Sequence, residues 1–215
     1  KMRNLKLAVF NSCDKPSSFN ALAEAIAKKE INADFQLIIA SKSTGYDYVK
    51  NLLKNLCIDK MPEIIVIDRK KYENIDKFND EIYKILSKYD FDLIVMAGWL
   101  HLFRVGEKYK YKVINLHPAL FSTGIKGKGA YGKNVHSAII EKKLPAGCTV
   151  HFADDEYDHG PVILKKEVEV LPNDTPESIA IKIRNECVRD ILPRAIQLIA
   201  ESKIKIENDK VKILE

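Results

Sequence analysis

Apolar residues cluster in short runs along the first half of the chain, and longer stretches of mixed polarity separate these runs. The runs are rich in Leu, Ile, Val and Phe and are bounded by polar or turn-forming residues, a pattern typical of buried β-strands. They cover residues 5–10, 35–40, 63–67, 91–97 and 112–116. The pattern therefore predicts five strands before residue 117.

The stretches between these runs carry apolar residues three or four positions apart, which is the spacing of an amphipathic helix. They cover residues 18–29, 45–56 and 74–88. Strands that alternate with helices predict a parallel sheet, because a parallel crossover needs a connection long enough to return over the sheet. We expect a single-domain, doubly wound α/β fold with a mostly parallel, Rossmann-like sheet.

The second half has a different pattern. A Gly- and Lys-rich loop at 121–132 precedes a predicted short helix at 133–142 and two predicted strands at 147–153 and 161–170. Thr175, Pro176 and Glu177 combine a capping residue, an early proline and a first-turn acid, so they predict a long helix that ends near residue 200. Alternating apolar and charged residues at 203–214 predict a small C-terminal hairpin around Asn208-Asp209.

Composition narrows the class of protein. The chain has 215 residues, 46% of them hydrophobic, which fits one compact domain over 1–215. Its apolar runs are far shorter than the roughly 20 residues of a membrane-spanning helix, and no charged-then-apolar leader precedes the first strand. We expect a cytoplasmic protein that does not bind membranes, unless a transit peptide was removed. A monomer and a homodimer both remain open.

Charge and cysteine usage exclude further classes. The net charge of +5 is spread over lysines interleaved with acids, unlike the basic stripe of most nucleic-acid-binding proteins, so no nucleic-acid partner is expected. The four cysteines are Cys13, Cys57, Cys148 and Cys187. They form no close pair of the kind found in zinc or redox motifs, and we expect structural thiols and no metal.

Asn115 and His117 end the fifth predicted strand, and their two-residue spacing places both side chains on one face. Pro118 then ends the strand. Ligands of open α/β sheets bind beyond the carboxyl ends of the strands, so this pair is well placed for chemistry. Alone, the pair is also compatible with a turn-capping Asn and a hydrogen-bonded core His.

A second polar cluster follows where the predicted strand 147–153 runs into an acidic loop that ends in Asp158, His159, Gly160 and Pro161. A carboxylate beside His117 would orient the imidazole and favour its protonated form, giving an acid–base device. A solvated acidic turn remains an alternative. A calcium loop is disfavoured because Tyr157 and the Gly-Pro pair do not supply the spacing of oxygen ligands.

The order of these motifs resembles the signature of the folate-dependent formyltransferase family. The resemblance rests on Asn115-Leu116-His117-Pro118, then Thr149-Val150-His151-Phe152, then Asp158-x-Gly160-Pro161. It extends over nearly the whole chain and includes Ala40-Ser41-Lys42 and Ala97-Gly98-Trp99-Leu100. The resemblance implies the family's fold over 1–215, with an acceptor-phosphate side in 1–116 and the folate loop and C-terminal helix in 117–215.

By this resemblance Asn115, His117 and Asp158 form a catalytic trio. It implies 10-formyltetrahydrofolate as the formyl donor and co-substrate, the amine of glycinamide ribonucleotide as the acceptor, and neither a metal nor a covalent intermediate. The resemblance also implies the folate contacts, which are Leu100, His101, Leu102, Phe103, Asp154, Asp155, Glu156 and Tyr157. His101 stands where the family usually has an arginine.

The resemblance implies acceptor contacts at Lys15, Ser17, Ser18, Pro118 and Glu186. The family usually has a Gly-x-Gly-Ser-Asn turn around the substrate phosphate, whereas this chain has Pro16 before its Ser pair, and Pro16 has no N–H to donate. Ser17 and Ser18 would begin a helix whose free amides favour phosphate, although a plain helix cap is an equal alternative. The glycine-rich stretch 124–132, found in a subset of the family, would close over the acceptor.

Other functions on this scaffold stay open. A formyltransferase for an amino-sugar nucleotide would share the trio, and the altered phosphate turn keeps that alternative in place. Methionyl-tRNA formyltransferases and formyltetrahydrofolate deformylases normally carry an extra domain for which 215 residues leave no room. A catalytically silent folate- or nucleotide-binding module is the alternative from outside enzymes, because a fold does not by itself imply activity.

Overall fold

A computed structural model of the chain describes residues 3–14 and 16–215. Its core is a seven-stranded sheet with the strand order β3-β2-β1-β4-β5-β6-β7. The strands are β1 Leu5–Asn11, β2 Ala33–Ala40, β3 Glu63–Val66, β4 Leu93–Met96, β5 Val113–His117, β6 Ala146–Phe152 and β7 Val162–Val168. Strands β1 to β5 are parallel, while β6 and β7 each run antiparallel to the neighbour before them. The predicted mostly parallel α/β sheet is confirmed.

Helices cover both faces of this sheet, and each face has its own hydrophobic cluster. The helices are α1 Ser17–Ala27, α2 Ser43–Asn55, α3 Ile75–Leu86, α4 Lys133–Glu141, α5 Pro176–Lys182 and α6 Arg189–Ala200. On α3, the Asn74 side chain accepts from Lys77 N at 2.9 Å, and Phe78 and Ile82 are fully buried. The spacing of apolar residues therefore predicted this helix and its buried face correctly.

The predicted long C-terminal helix is continuous but not uniform. It begins with the predicted cap, where the Thr175 and Ser178 side chains bond each other's backbone N–H. Between α5 and α6, residues Ile183–Val188 adopt a π-helix, whose wider turn was not predicted. π-Helical turns occur frequently at functional sites. The wide turn buries Cys187 and Val188 and leaves Arg184 and Glu186 on the exposed side.

The predicted C-terminal hairpin is present as β8 Ile204–Glu207 and β9 Lys210–Ile213. Its two turn residues, Asn208 and Asp209, have φ values of 50° and 55°. Two successive positive φ angles are typical of the two-residue turns that match the twist of a hairpin. Asp209 accepts a hydrogen bond from the hydroxyl of Tyr111, which ties the hairpin to the end of the sheet near β5.

The strand order indicates where a ligand can bind. From β1 the chain adds strands on one side, towards β3, and from β4 it adds them on the other side, towards β7, so the order reverses between β1 and β4. At such a switch point, doubly wound sheets open a crevice at the carboxyl ends of their strands. β1, β4 and β5 end there at Asn11, Met96 and His117. Among the residues that the structure describes, no helix is long and apolar enough to cross a membrane.

Candidate active site

Asn115 and His117 lie at the carboxyl end of β5 and on the same face of the strand. The antiparallel pairing with β6 sets His151 opposite Asn115 and Thr149 opposite His117. His117 is only 2% exposed. The strand therefore presents an amide and an imidazole side by side in a site that is largely shielded from water.

Asp158 reaches the same point from the loop that joins β6 to β7. Its Oδ1 lies 3.2 Å from Nδ1 of His117 and 3.4 Å from Nδ2 of Asn115. The loop returns sharply, since Asp158 and Gly160 have φ values of 48° and 101°. A Cβ on Gly160 would lie 2.2 Å from the carbonyl oxygen of Phe152, so only glycine fits there.

The surroundings of Asp158 favour its ionised form. Burial raises the pKa of this carboxyl group and is the largest single influence on it. The hydrogen bond and charge of His117 and the N–H of Gly127 act in the opposite direction, and with a smaller contribution from His151 they together hold the pKa of Asp158 below its ordinary value. At neutral pH Asp158 is therefore a carboxylate that orients His117.

His151 fixes the orientation of the Asn115 side chain. Its Nδ1 donates to the carbonyl oxygen of Phe152 at 2.9 Å, so Nε2 is an acceptor, and Nδ2 of Asn115 donates a hydrogen bond to it at 3.2 Å. Burial lowers the pKa of His151, which keeps the ring neutral and preserves this acceptor. The sequence motif contained His151 but gave no signal for this role, which depends on the register between β5 and β6.

The glycine-rich loop lies directly over the trio. The carbonyl oxygen of Ile125 is 2.6 Å from Nε2 of His117, and the N–H of Gly127 donates to Oδ2 of Asp158 at 2.8 Å. A carbonyl can only accept, so Nε2 of His117 donates to it. Both ring nitrogens of His117 thus face acceptors, an arrangement that the doubly protonated imidazolium satisfies.

A cavity of about 320 Å³, here called cavity A, opens on one side of the trio. It extends from Asn115, His117 and Asp158 to the start of α1 and to the π-helical segment. Of the expected acceptor contacts, Ser17, Ser18 and Pro118 line cavity A. Lys15 lies outside the described residues.

The π-helical segment contributes Arg184 to cavity A, and Glu186 is not among the lining residues. Glu186 is exposed, two positions further along the wide turn. The Arg184 side chain makes no ion pair or hydrogen bond with any residue in the described part of the chain, so its charge is available to a ligand. Sequence reasoning did not select Arg184, because the apolar pattern of a helix does not show where a π turn changes the exposed face.

A second cavity of about 40 Å³, cavity B, lies on the other side of Asn115 and Asp158. Most of the expected folate contacts line it, namely His101, Leu102, Phe103, Asp154, Glu156 and Tyr157. Leu100 lines cavity A instead. Asp155 accepts from the N–H of Gly106 at 3.0 Å and so holds the acidic loop against the segment after β4.

A further cavity of about 750 Å³ lies on the outer side of the acidic loop, between that loop and Tyr111 and Asp209. Its lining includes Asp158 but neither Asn115 nor His117. Asn115 lines cavities A and B, so chemistry that uses Asn115 and Asp158 together fits those two cavities better. Among residues 3–14 and 16–215, no group of three or more His, Cys, Asp or Glu side chains is arranged to hold a metal ion.

The arrangement combines an oriented imidazole, a carboxylate and a side-chain amide between two cavities. Such a set can stabilise negative charge on an oxygen and move protons between two bound molecules. Asn115 and Asp158 line both cavities, so a group bound in one cavity would meet a group bound in the other beside these side chains. This geometry suits the transfer of a small group between two substrates.

Comparison with known proteins agrees with this geometry. The sequence model described as "Formyl transferase" matches residues 5–196. Phosphoribosylglycinamide formyltransferase, chloroplastic, from Arabidopsis thaliana is 31% identical over 219 residues, covering 99% of this chain and 71% of that protein. The protein of the same name from Vigna unguiculata is 30% identical, covering 100% of this chain and 67% of its own length.

A solved structure is also similar over nearly the whole chain. Glycinamide ribonucleotide transformylase 1 from Symbiobacterium toebii superposes with a TM-score of 0.85 at 26% sequence identity. The match covers 98% of this chain and 94% of that one. The similarity therefore includes both the sheet and the C-terminal elements that line cavity A.

Proposed function

The chain belongs to the formyl transferase family, and from this premise we propose that it is a phosphoribosylglycinamide formyltransferase. It transfers a formyl group from 10-formyltetrahydrofolate to the amine of 5'-phosphoribosylglycinamide in de novo purine biosynthesis. The names of its relatives support the reaction. The observation that carries the proposal is the contact of His117 with Asp158 beside Asn115, at the junction of two cavities.

The two cavities suggest where each substrate binds. Cavity A contains the start of α1 and Arg184, which favour an anionic ribonucleotide. Cavity B joins the apolar side chains of Leu102 and Phe103 to the backbone of the acidic loop, a combination that suits a flat heterocycle with a polar edge. The acceptor would therefore occupy cavity A and the pterin of the donor would bind at cavity B, which must widen beyond its 40 Å³ to admit the heterocycle, with the formyl group between them.

In the reaction, the acceptor amine attacks the formyl carbon and the carbonyl oxygen gains negative charge. His117 and the amide of Asn115 would donate hydrogen bonds to this oxygen, and protons would pass from the amine to the folate leaving nitrogen. The 3.4 Å bond between Asn115 and Asp158 is long, so its donor can be exchanged for the substrate oxygen at little cost. Asp158 keeps the His117 ring oriented throughout.

Acceptor binding would use Arg184 as the main charge partner of the phosphate. Pro16 occupies the cap position of α1 and provides no N–H, so the amides of Ser17 and Ser18 alone make a weaker anion site than a full turn of glycines would. A guanidinium can bind phosphate with two hydrogen bonds at once. Lys15, Pro118 and Glu186 remain proposed contacts from family resemblance, and of these three Pro118 lines cavity A.

The wider setting of the enzyme follows from the same premise. We propose small-molecule substrates only, a cytoplasmic location, no nucleic-acid partner, and a monomer or homodimer. The relatives from plants are named chloroplastic, and that location is a property of those proteins. Residues 1–116 would supply the phosphate end of α1 and the folate wall after β4, and residues 117–215 would supply the folate loop and Arg184.

The proposal is tested by offering two acceptors in one reaction. The purified protein is incubated with 10-formyltetrahydrofolate and equal concentrations of glycinamide ribonucleotide and an amino-sugar nucleotide, and the formylated products are separated by mass. We expect formylated glycinamide ribonucleotide as the main product. Formylation of the amino-sugar nucleotide alone would instead assign the alternative acceptor, and release of tetrahydrofolate with neither product would contradict formyl transfer to an amine.

A further inference from the structure

The indole nitrogen of Trp99 is buried without a hydrogen-bond partner. Trp99 is 7% exposed, and no described residue accepts a hydrogen bond from its Nε1. A buried donor that lacks an acceptor costs roughly 1–3 kcal/mol, and such groups in native structures are rare. An unpaired donor at a ligand site is explained when the ligand supplies the acceptor.

Neighbouring rings hold the Trp99 side chain in one position. The Phe78 ring stacks on it at 5.8 Å between centroids, with 7° between the ring planes. The centroids of the Phe10 and His101 rings each lie 5.2 Å from the centroid of the indole ring. The indole therefore cannot turn to find another acceptor without disturbing the core on this face of the sheet.

Trp99 lies where cavities A and B meet. Four of the residues that line cavity A also line cavity B, and they are Trp99, Asn115, Tyr157 and Asp158. A group in transit between two substrates must pass beside these four side chains. Trp99 is therefore placed to contact the transferred group itself, rather than the distant end of either substrate.

The donors of Asn115 and His117 at this junction already have partners. Both hydrogens of the Asn115 amide point to His151 and Asp158, and the outer N–H of His117 donates to Ile125. The Tyr157 oxygen accepts a hydrogen bond from the Leu102 backbone. The N–H of Trp99 breaks no existing hydrogen bond when it donates to a substrate oxygen.

We propose that the indole N–H of Trp99 donates a hydrogen bond to the formyl oxygen of the bound donor and stabilises the negative charge that develops there. Trp99 is then a catalytic residue alongside Asn115 and His117, and this inference rests on the proposed formyl transfer. A rigid donor that is already desolvated suits this task, because it does not reorganise as the charge forms. A phenylalanine at this position could fill the space but could not donate.

The single tryptophan of the chain allows a direct spectroscopic test. Protein labelled with ¹⁵N at the indole gives one indole N–H signal, which is followed during titration with 10-formyl-5,8-dideazafolate, a stable formyl-donor analogue. The matched control is 5,8-dideazafolate, which has no formyl group. We expect a downfield shift of the indole proton with the formyl analogue only. Equal shifts with both analogues, or no shift with either, would overturn the proposal.

Because the chain has a single tryptophan, one atom of its indole can also be substituted selectively. Expression in a tryptophan auxotroph supplied with benzothienylalanine replaces the indole N–H at position 99 by sulfur and changes no other residue. We expect kcat to fall roughly 100-fold, the lower end of what one oxyanion donor contributes, with little change in either KM. An unchanged kcat would contradict the proposal, as would a rise in the folate KM alone.

These tests are separable from the proposed function. If wild-type protein formylates neither acceptor, the proposed function is wrong, while the titration still decides whether the indole contacts a formyl oxygen. If wild-type protein is active and the indole signal does not respond to the formyl group of the analogue, the proposed function stands and the proposed role of Trp99 is wrong. Thermal unfolding of the benzothienyl protein, expected to match the wild type, excludes a folding defect as the cause of lost turnover.

Discussion

The carbonyl oxygen of Ile125 lies 2.6 Å from Nε2 of His117, on the ring edge opposite Asp158. The glycine-rich loop therefore occupies the place that a substrate oxygen needs in order to accept from His117. The loop is further attached through Gly127, whose N–H donates to Asp158. Substrate binding must exchange the first of these bonds and disturb the second.

We predict that the formyl-donor analogue releases this loop. In hydrogen-exchange measurements, the amide of Gly127 should exchange faster with 10-formyl-5,8-dideazafolate bound, because its bond to Asp158 opens when Ile125 leaves His117. The analogue without a formyl group serves as control and should leave the exchange unchanged. Undiminished protection of Gly127 with the formyl analogue would show that His117 does not contact the formyl oxygen.

Arg184 should determine how tightly the ribonucleotide binds. Arg184→Ala removes a charge that lines cavity A, and we expect the KM for glycinamide ribonucleotide to rise about 10- to 100-fold, since a hydrogen bond to a charged group contributes roughly 1.5–3 kcal/mol. The folate KM should change little. Arg194→Ala, which removes an exposed arginine of α6 that lines neither cavity, is the matched control. An equal effect of Arg194→Ala would contradict the assignment.

The return of the acidic loop should depend on Gly160. An alanine Cβ there would meet the Phe152 carbonyl at 2.2 Å and adopt a φ of 101°, so Gly160→Ala should lower the free energy of unfolding by roughly 2–5 kcal/mol. Gly124→Ala is the control, because φ is 73° there but no atom lies within 4 Å. It should cost about 1–2 kcal/mol. Urea unfolding measures both, and equal losses would argue against a steric cause at Gly160.

Asp158 should make stability depend on pH at the acidic end. Its pKa is lowered in the folded state, so its contribution is complete above the ordinary aspartate value of about 3.9 and is lost as the pH falls through the lower folded value. The stability difference between wild type and Asp158→Asn should therefore shrink below about pH 4. Asp80→Asn, at an exposed position of α3, should show no such change. A constant difference for Asp158→Asn would contradict the role of ionisation.

The sequence predicted the elements of the fold well because burial imposes a period on each of them. The helix with Phe78 and Ile82 and the hairpin at Asn208-Asp209 were both found from local signals alone. The trio could be proposed because Asn115 and His117 share a strand and family resemblance supplied Asp158. Local sequence patterns predict a feature when residues close together in the chain form it.

Other features of the site depend on contacts between distant segments. The role of His151 follows from the register of β6 on β5, and that of Arg184 from one π-helical turn in a helix with an ordinary apolar pattern. The sequence shows Trp99 only as part of a family motif, and its role is indicated by its unpaired N–H together with its place in the lining of both cavities. Such features require the packed structure.

The central claim is that Asn115, His117 and Asp158 transfer a formyl group between two bound substrates. It is tested most directly with ¹³C-labelled formyl donor and glycinamide ribonucleotide, following the labelled carbon by NMR with wild-type protein and with Asp158→Asn. We predict that the label moves from folate to the acceptor amine, and that Asp158→Asn slows this transfer about 100-fold or more while donor binding stays within a few-fold. Label that leaves the folate as free formate, or transfer at a near-normal rate in Asp158→Asn, would contradict the account.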